Sequence, residues 1–211
     1  MSKSINEFTS KELRSLRSLN TPAKIQRFIE EMPYHHAKTA WSPRVVLRER
    51  KAHCLEGATF AAAALRINGF PPLLFDLEAH RDDDHVLAIF RVKGQWGAIA
   101  KSNFSGLRYR EPVYRSLREL AMSYFDDYFN LAGDRSLRAF ASRPVNLARF
   151  DSRHWMTADE NESLWYIAEH LCDIPHTKLL KPGMEKKLTR VDKRRLKAGF
   201  VGRQEAAKSN V

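Results

Sequence analysis

The chain has 211 residues, 43% of them hydrophobic, and carries 36 Lys/Arg against 25 Asp/Glu for a net charge of +11. That length suits one folded domain with an extension, and no apolar run nears the roughly 20 residues of a bilayer-crossing helix, so no membrane span is expected. Met1–Phe8 lacks the apolar stretch of a secretory signal and the two cysteines lie far apart, so free thiols in a reducing, cytoplasmic setting are expected.

In chain order, Thr9-Ser10-Lys11-Glu12 fits a capping box, and Leu13, Leu16 and Leu19 follow at helical spacing. Thr21-Pro22 opens a second helix, with an N-cap followed by proline at the first helical position. Its apolar face is Ile25, Phe28, Ile29 and Met32, and Pro33 ends it. The segment 33–50 reads as irregular around Val45-Val46-Leu47. At Cys54 the sequence switches from basic and polar to an alanine-rich run ending in Leu65-Arg66-Ile67-Asn68-Gly69-Phe70-Pro71-Pro72. Ala, Leu and Phe favour helix, and Asn-Gly then Pro-Pro stop it. Leu73–Leu77 reads as a short buried strand. His85–Val92 and Gln95–Ser102 read as a hairpin turning at Lys93-Gly94. From Pro112 a helical face of Val113, Leu117, Leu120, Tyr124 and Tyr128 is expected. Thr157-Ala158-Asp159-Glu160 opens a further helix with Leu164, Ile167, Ala168 and Leu171 inward. Helices, then a hairpin sheet, then helices make an α+β chain.

Cys54 and His85 carry the chemistry of the sequence. A cysteine at a helix N-terminus meets unpaired N–H groups and the positive end of the helix dipole, both of which stabilise a thiolate. A histidine opening a strand some thirty residues on can serve as its base. The pair is expected within hydrogen-bonding reach, with Cys54 more readily alkylated than Cys172.

The helix-tip cysteine, the strand Leu73-Leu74-Phe75, and a hairpin that opens with His85 and carries Trp96 resemble the core of the transglutaminase-like superfamily, within the papain-like cysteine hydrolases and acyltransferases. The resemblance covers roughly residues 50–105. It implies a Cys-bearing helix packed on an antiparallel sheet. It also implies a thioester mechanism, in which the Cys54 backbone N–H contributes to the oxyanion hole and an acidic or amide residue orients His85. The family's usual aspartate, four residues after the tryptophan, is Ala100 here. Pairing about Lys93-Gly94 gives partners whose numbers sum to 187, which sets Ser102 opposite His85. Asn103 has the better chemistry but needs a bulge, and Asp83 or Asp84 could act through the loop. All three options stay open.

Glu56 either complements the helix dipole or contacts substrate. Trp96 is a second candidate contact, and Lys101 and Arg108 could recognise a carboxylate or phosphate. Zinc ligation by His53, Cys54, His80 and His85 lacks regular spacing, so neither metal nor cofactor is expected. Cys172 reads as a small buried hydrophobe.

Three parts are expected: residues 1–110 as the core with N-terminal helices, 111–180 as a helical extension, and 181–211 as a basic, partly disordered tail. That tail holds ten Lys/Arg and three Asp/Glu, which makes it a candidate for weak contact with an anionic partner such as nucleic acid. The expected reaction is cysteine-dependent hydrolysis or transfer at an amide or related acyl bond of a peptide or small substrate. The alternative is a non-catalytic module that keeps the cleft for binding.

Overall fold

The computed structural model describes residues 7–205. Within them the chain is α+β, with seven strands in one antiparallel sheet ordered β4-β3-β2-β1-β5-β7 and a short β6 also paired to β1. The strands are β1 Leu73–Ala79, β2 His85–Val92, β3 Gln95–Ile99, β4 Arg110–Tyr114, β5 Leu137–Ala141, β6 Val145–Asn146 and β7 His176–Lys178. No helix among the described residues is long and apolar enough to cross a membrane.

The N-terminal half folds as its local signals dictate. Thr9 and Glu12 exchange the two hydrogen bonds of a capping box at the start of α1, Ser10–Ser18. Thr21 caps α2, Pro22–Glu30, whose first residue is proline. Ser42 caps α3, Pro43–Glu49, and Val45 and Val46 are buried. The helix α4, Cys54–Ile67, is apolar on all sides, and every residue from Leu55 to Leu65 is buried. Such a helix needs cover all round. It packs on the sheet face formed by Leu74, Val86, Ala88 and Phe90, and α1, α2 and α3 enclose its other sides. Asn68 closes it by donating to the carbonyls of Leu16, Leu19 and Ala64.

The opposite sheet face buries Phe75, Leu77, Leu87, Ile89, Ala98 and Ala100 beneath Leu120, Tyr124 and Tyr128. The hairpin turns at Lys93 and Gly94, which have φ of 47° and 83°. That is the mirror-image turn that suits twisted strands, and Val92↔Gln95 through Ala88↔Ile99 keep the anticipated register. β3 ends at Ile99, three residues short of Ser102.

The region 111–180 departs from the expected helical extension. It supplies β4, β5, β6 and β7 to the sheet. Val113 lies on β4 and is 64% exposed. Of the helical face expected from Pro112 onward, only Leu117–Met122 is helical (α5), and the aromatic residues after it continue as turns packed on the sheet. Thr157 does not cap a helix; its hydroxyl donates to Glu7. The helix α6 spans Trp165–Asp173, with Ile167 and Leu171 buried.

The basic C-terminal segment is also structured through residue 205. Met184–Lys187 forms a 3-10 turn, and Asp192 caps α7, Lys193–Gly199. Gly199 lies against Phe129 so closely that a Cβ would come within 2.4 Å of the ring. Arg190 pairs with Asp134, and Arg195 approaches Asp126 and Asp127. Part of the basic charge is therefore neutralised within the fold. Residues 206–211 of the expected tail lie outside the described residues.

Candidate active site

Cys54 is the first residue of α4, and its sulfur faces the end of β2. The backbone N–H groups of Val86 and Leu55 favour its thiolate, but burial outweighs them and pushes the thiol up to about 11. The residue keeps partial solvent access on one side, which opens into a cleft of about 530 Å³. The same cleft is lined by Tyr34, Asp76, Asp82, Asp83, Asp84 and His85. Ser102, Asn103, Leu107 and Tyr128 also border it, as do Trp165 and Cys172.

His85 opens β2 as anticipated and is 4% exposed. Strand alternation turns its side chain to the Leu87 and Ile89 face, away from α4. There its ring meets Tyr124 and Tyr128 edge-on, each at 6.4 Å. Nε2–H donates to the Leu107 carbonyl at 3.0 Å, which fixes Nδ1 as the unprotonated nitrogen of the neutral ring. Burial pulls the imidazole down to about 4, with Arg110 adding to the effect. Cys54 and His85 therefore reach one cleft from opposite sides of a strand end. No hydrogen bond joins them, contrary to the expected ready-made pair.

The group that holds His85 was not among the expected ones. Ser102 Oγ accepts from the Phe104 N–H, and the Asn103 amide bonds the Gln204 backbone. Both residues border the cleft, but neither bonds His85. The register offered Ser102 only if β3 ran three residues further. A backbone carbonyl does the work instead, and a carbonyl leaves no signature in residue identity. Asp84 accepts from the Ala79 N–H and Asp82 from Ser136.

Four expected substrate contacts lie away from the cleft. Glu56 is fully buried beneath the α4 N-terminus. Its carboxylate accepts from Thr39 Oγ1 at 2.7 Å, the Trp41 N–H at 3.1 Å and the His53 N–H at 3.2 Å, and it pairs with His35 Nδ1 at 2.9 Å. It thus ties the 35–41 loop to the helix tip. Trp96 lies toward the hairpin turn, with the Arg91 guanidinium 4.8 Å above its ring. Lys101 is buried and spends its ammonium on the Met32 carbonyl. The Arg108 guanidinium is half-buried, with Nε unpartnered among the described residues.

Several cleft residues carried no sequence signal. Tyr34 sits in a segment read as irregular, yet a parallel bridge to Ala52 draws it toward the α4 tip. The Cys54 backbone N–H favours the ionised form of Tyr34, but burial outweighs this and pushes its ionisation far up. Cys172 is exposed rather than core. The C-terminal segment bridges two residues that border the cleft. Gln204 accepts from the Tyr34 N–H at 2.7 Å and exchanges two hydrogen bonds of 2.7 and 2.8 Å with Asn103. No cluster of three or more His, Cys, Asp or Glu among the described residues could hold a metal ion.

No family model matches the chain, and no curated protein matches it.

Proposed function

We propose that the protein performs cysteine-dependent acyl chemistry, hydrolysis or transfer at an amide or related acyl bond. A thiol at a helix tip, on a helix packed against an antiparallel sheet, supports a transglutaminase-like, papain-like core. The observation that carries the reading is the His85 tautomer. With Nε2–H held by Leu107, Nδ1 is the basic nitrogen in the cleft that Cys54 shares. Cys54 Sγ attacks the acyl carbon as its proton passes to Nδ1. The imidazolium returns that proton to the leaving group. Water or a second nucleophile then releases the acyl group. The Cys54 N–H stabilises the oxyanion.

The resting pair is a neutral thiol and a neutral imidazole, because Leu107 orients the ring without supplying negative charge. Substrate binding must therefore close the gap between the two residues, as catalytic contacts often tighten only in the complex. The elevated thiol and the missing Cys54–His85 hydrogen bond favour a second reading, in which the cleft binds an acyl or peptide ligand without reacting. A weak anionic partner along the C-terminal basic segment belongs to that reading.

Incubation with p-nitrophenyl acetate, read by intact mass and peptide mapping, separates the two. The catalytic reading requires an acetyl adduct on Cys54 that forms at least roughly a hundredfold more slowly in His85→Ala, the lower end of general-base contributions. No adduct, or one formed as fast without His85, supports the binding module.

A further inference from the structure

A second cavity, of about 210 Å³, lies where the β1–β2 loop meets residues 130–138 and 185–190. Four arginines line it, Arg81, Arg135, Arg138 and Arg190, with the acidic residues Asp134 and Glu185. The ion pairs are unevenly shared. Asp134 takes Arg190 Nε at 2.6 Å. Arg135 turns to Asp126, which does not line the cavity, at 2.9 Å. Arg138 spends Nη1 on the carbonyls of Arg135 and Leu137, both at 2.9 Å, and makes no ion pair among the described residues. Glu185 is its nearest compensation, yet burial still holds its pKa below the usual arginine range. Arg81 makes neither an ion pair nor a side-chain hydrogen bond among the described residues. Its φ of 55° lies in the left-handed region, which is uncommon outside glycine. The loop is held that way by the His80 N–H to Ser136 carbonyl bond and by Asp82 on the Ser136 hydroxyl.

Arg81 and Arg138 are thus lining arginines that make no ion pair among the described residues, and four arginines against Asp134 and Glu185 leave the lining with an excess of two positive charges. We propose that this cavity binds the terminal phosphate of a small phosphomonoester. A guanidinium presents planar paired donors that match phosphate oxygens. That excess matches the two negative charges of a monoester and overmatches the single charge of a diester. A cavity of this volume receives one such group and not a tract of nucleic-acid backbone. The proposal is independent of the chemistry at Cys54.

The test is titration with inorganic phosphate at constant ionic strength, above its second pKa, followed by amide and arginine side-chain NMR. Saturable shifts are expected around residues 80–82 and 135–138. Arg81→Gln and Arg138→Gln should each weaken binding roughly tenfold or more, the loss of one charge-assisted contact. Arg91→Gln, on the hairpin, should leave it unchanged. Dimethyl phosphate should bind at least roughly tenfold more weakly, by the same loss. Shifts that never saturate, equal affinity for dimethyl phosphate, or binding undiminished in Arg81→Gln would each overturn the assignment. Arg81 lies on an exposed loop, so that variant decides the matter even if Arg138→Gln does not fold.

Discussion

Gln26 holds Ala100 through both ends of its amide. Nε2 donates to the Ala100 carbonyl and Oε1 accepts from the Ala100 N–H, each at 2.9 Å. The side chain acts as a substitute strand where β3 ends at Ile99. Gln26→Leu would leave a buried donor and a buried acceptor without partners. It is expected to cost roughly 2–4 kcal/mol for the two groups, read as a lower urea midpoint with unchanged slope.

Cys54 in the unliganded protein should react slowly with iodoacetamide at pH 7. Its rate should climb across the alkaline range without levelling before about 11, where burial places the thiol. The exposed Cys172 should be labelled faster, which reverses the order the sequence suggests. Peptide mapping of singly labelled protein checks this. A Cys54 rate that levels near pH 8 would contradict the buried, neutral thiol.

His85 binds its proton less tightly folded than unfolded, since burial lowers it to about 4 from an ordinary 6.5. The unfolded chain therefore takes up a proton first as pH falls. Stability is full above about 6.5 and declines from there toward 4. The decline is roughly 3 kcal/mol, from about 1.4 kcal/mol per unit. His85→Gln should flatten that limb of the stability profile. Ala100→Asp, which would set a carboxylate on the sheet face that carries His85, should raise the His85 pKa. Imidazole NMR reads both.

His176 behaves in the opposite sense. Its Nε2 bonds Asp76 at 3.0 Å and its Nδ1 the Ile174 carbonyl at 2.8 Å, and Asp76 is the main cause of its raised pKa. The stabilisation is present below about 6.5 and is lost as pH rises through the elevated value. Thermal midpoints of the wild type should drop between pH 6 and 9 relative to those of His176→Gln. Parallel profiles would exclude a charged pair.

Gly57 permits α4 to lie against Lys101, since a Cβ at residue 57 would fall 2.4 Å from the Lys101 Cβ. Gly57→Ala should destabilise by roughly 1–3 kcal/mol, the usual range for overpacking a filled interior, despite alanine's better helix propensity. A urea midpoint equal to or above the wild type's would show that Lys101 shifts freely.

The elements that the sequence made legible are those with local causes. Thr9 with Glu12, Thr21 with Pro22, and Lys93-Gly94 each set backbone geometry within a few residues, and each folds as read. Tyr124 and Tyr128 misled because aromatic residues at helical spacing also suit turns packed on a sheet, and Val113 because it lies on the short edge strand β4. The short strands β5, β6 and β7 are defined by partners distant in sequence, so no local period announces them. Cys54 and His85 were found through residue chemistry. Leu107 was not, since it contributes only its carbonyl, and Tyr34 depends on a bridge to Ala52 that no spacing encodes.

The Gln204 clasp has a consequence for biosynthesis. It joins residues 101 and 170 positions apart, Asn103 and Tyr34 being its two anchors. A ribosome releases α4 and the β2–β3 hairpin well before it reaches Gln204. The nascent protein therefore carries its thiol before Tyr34 and Asn103 are bridged. Hairpin formation is a local event, whereas that bridge awaits a late docking step across most of the chain.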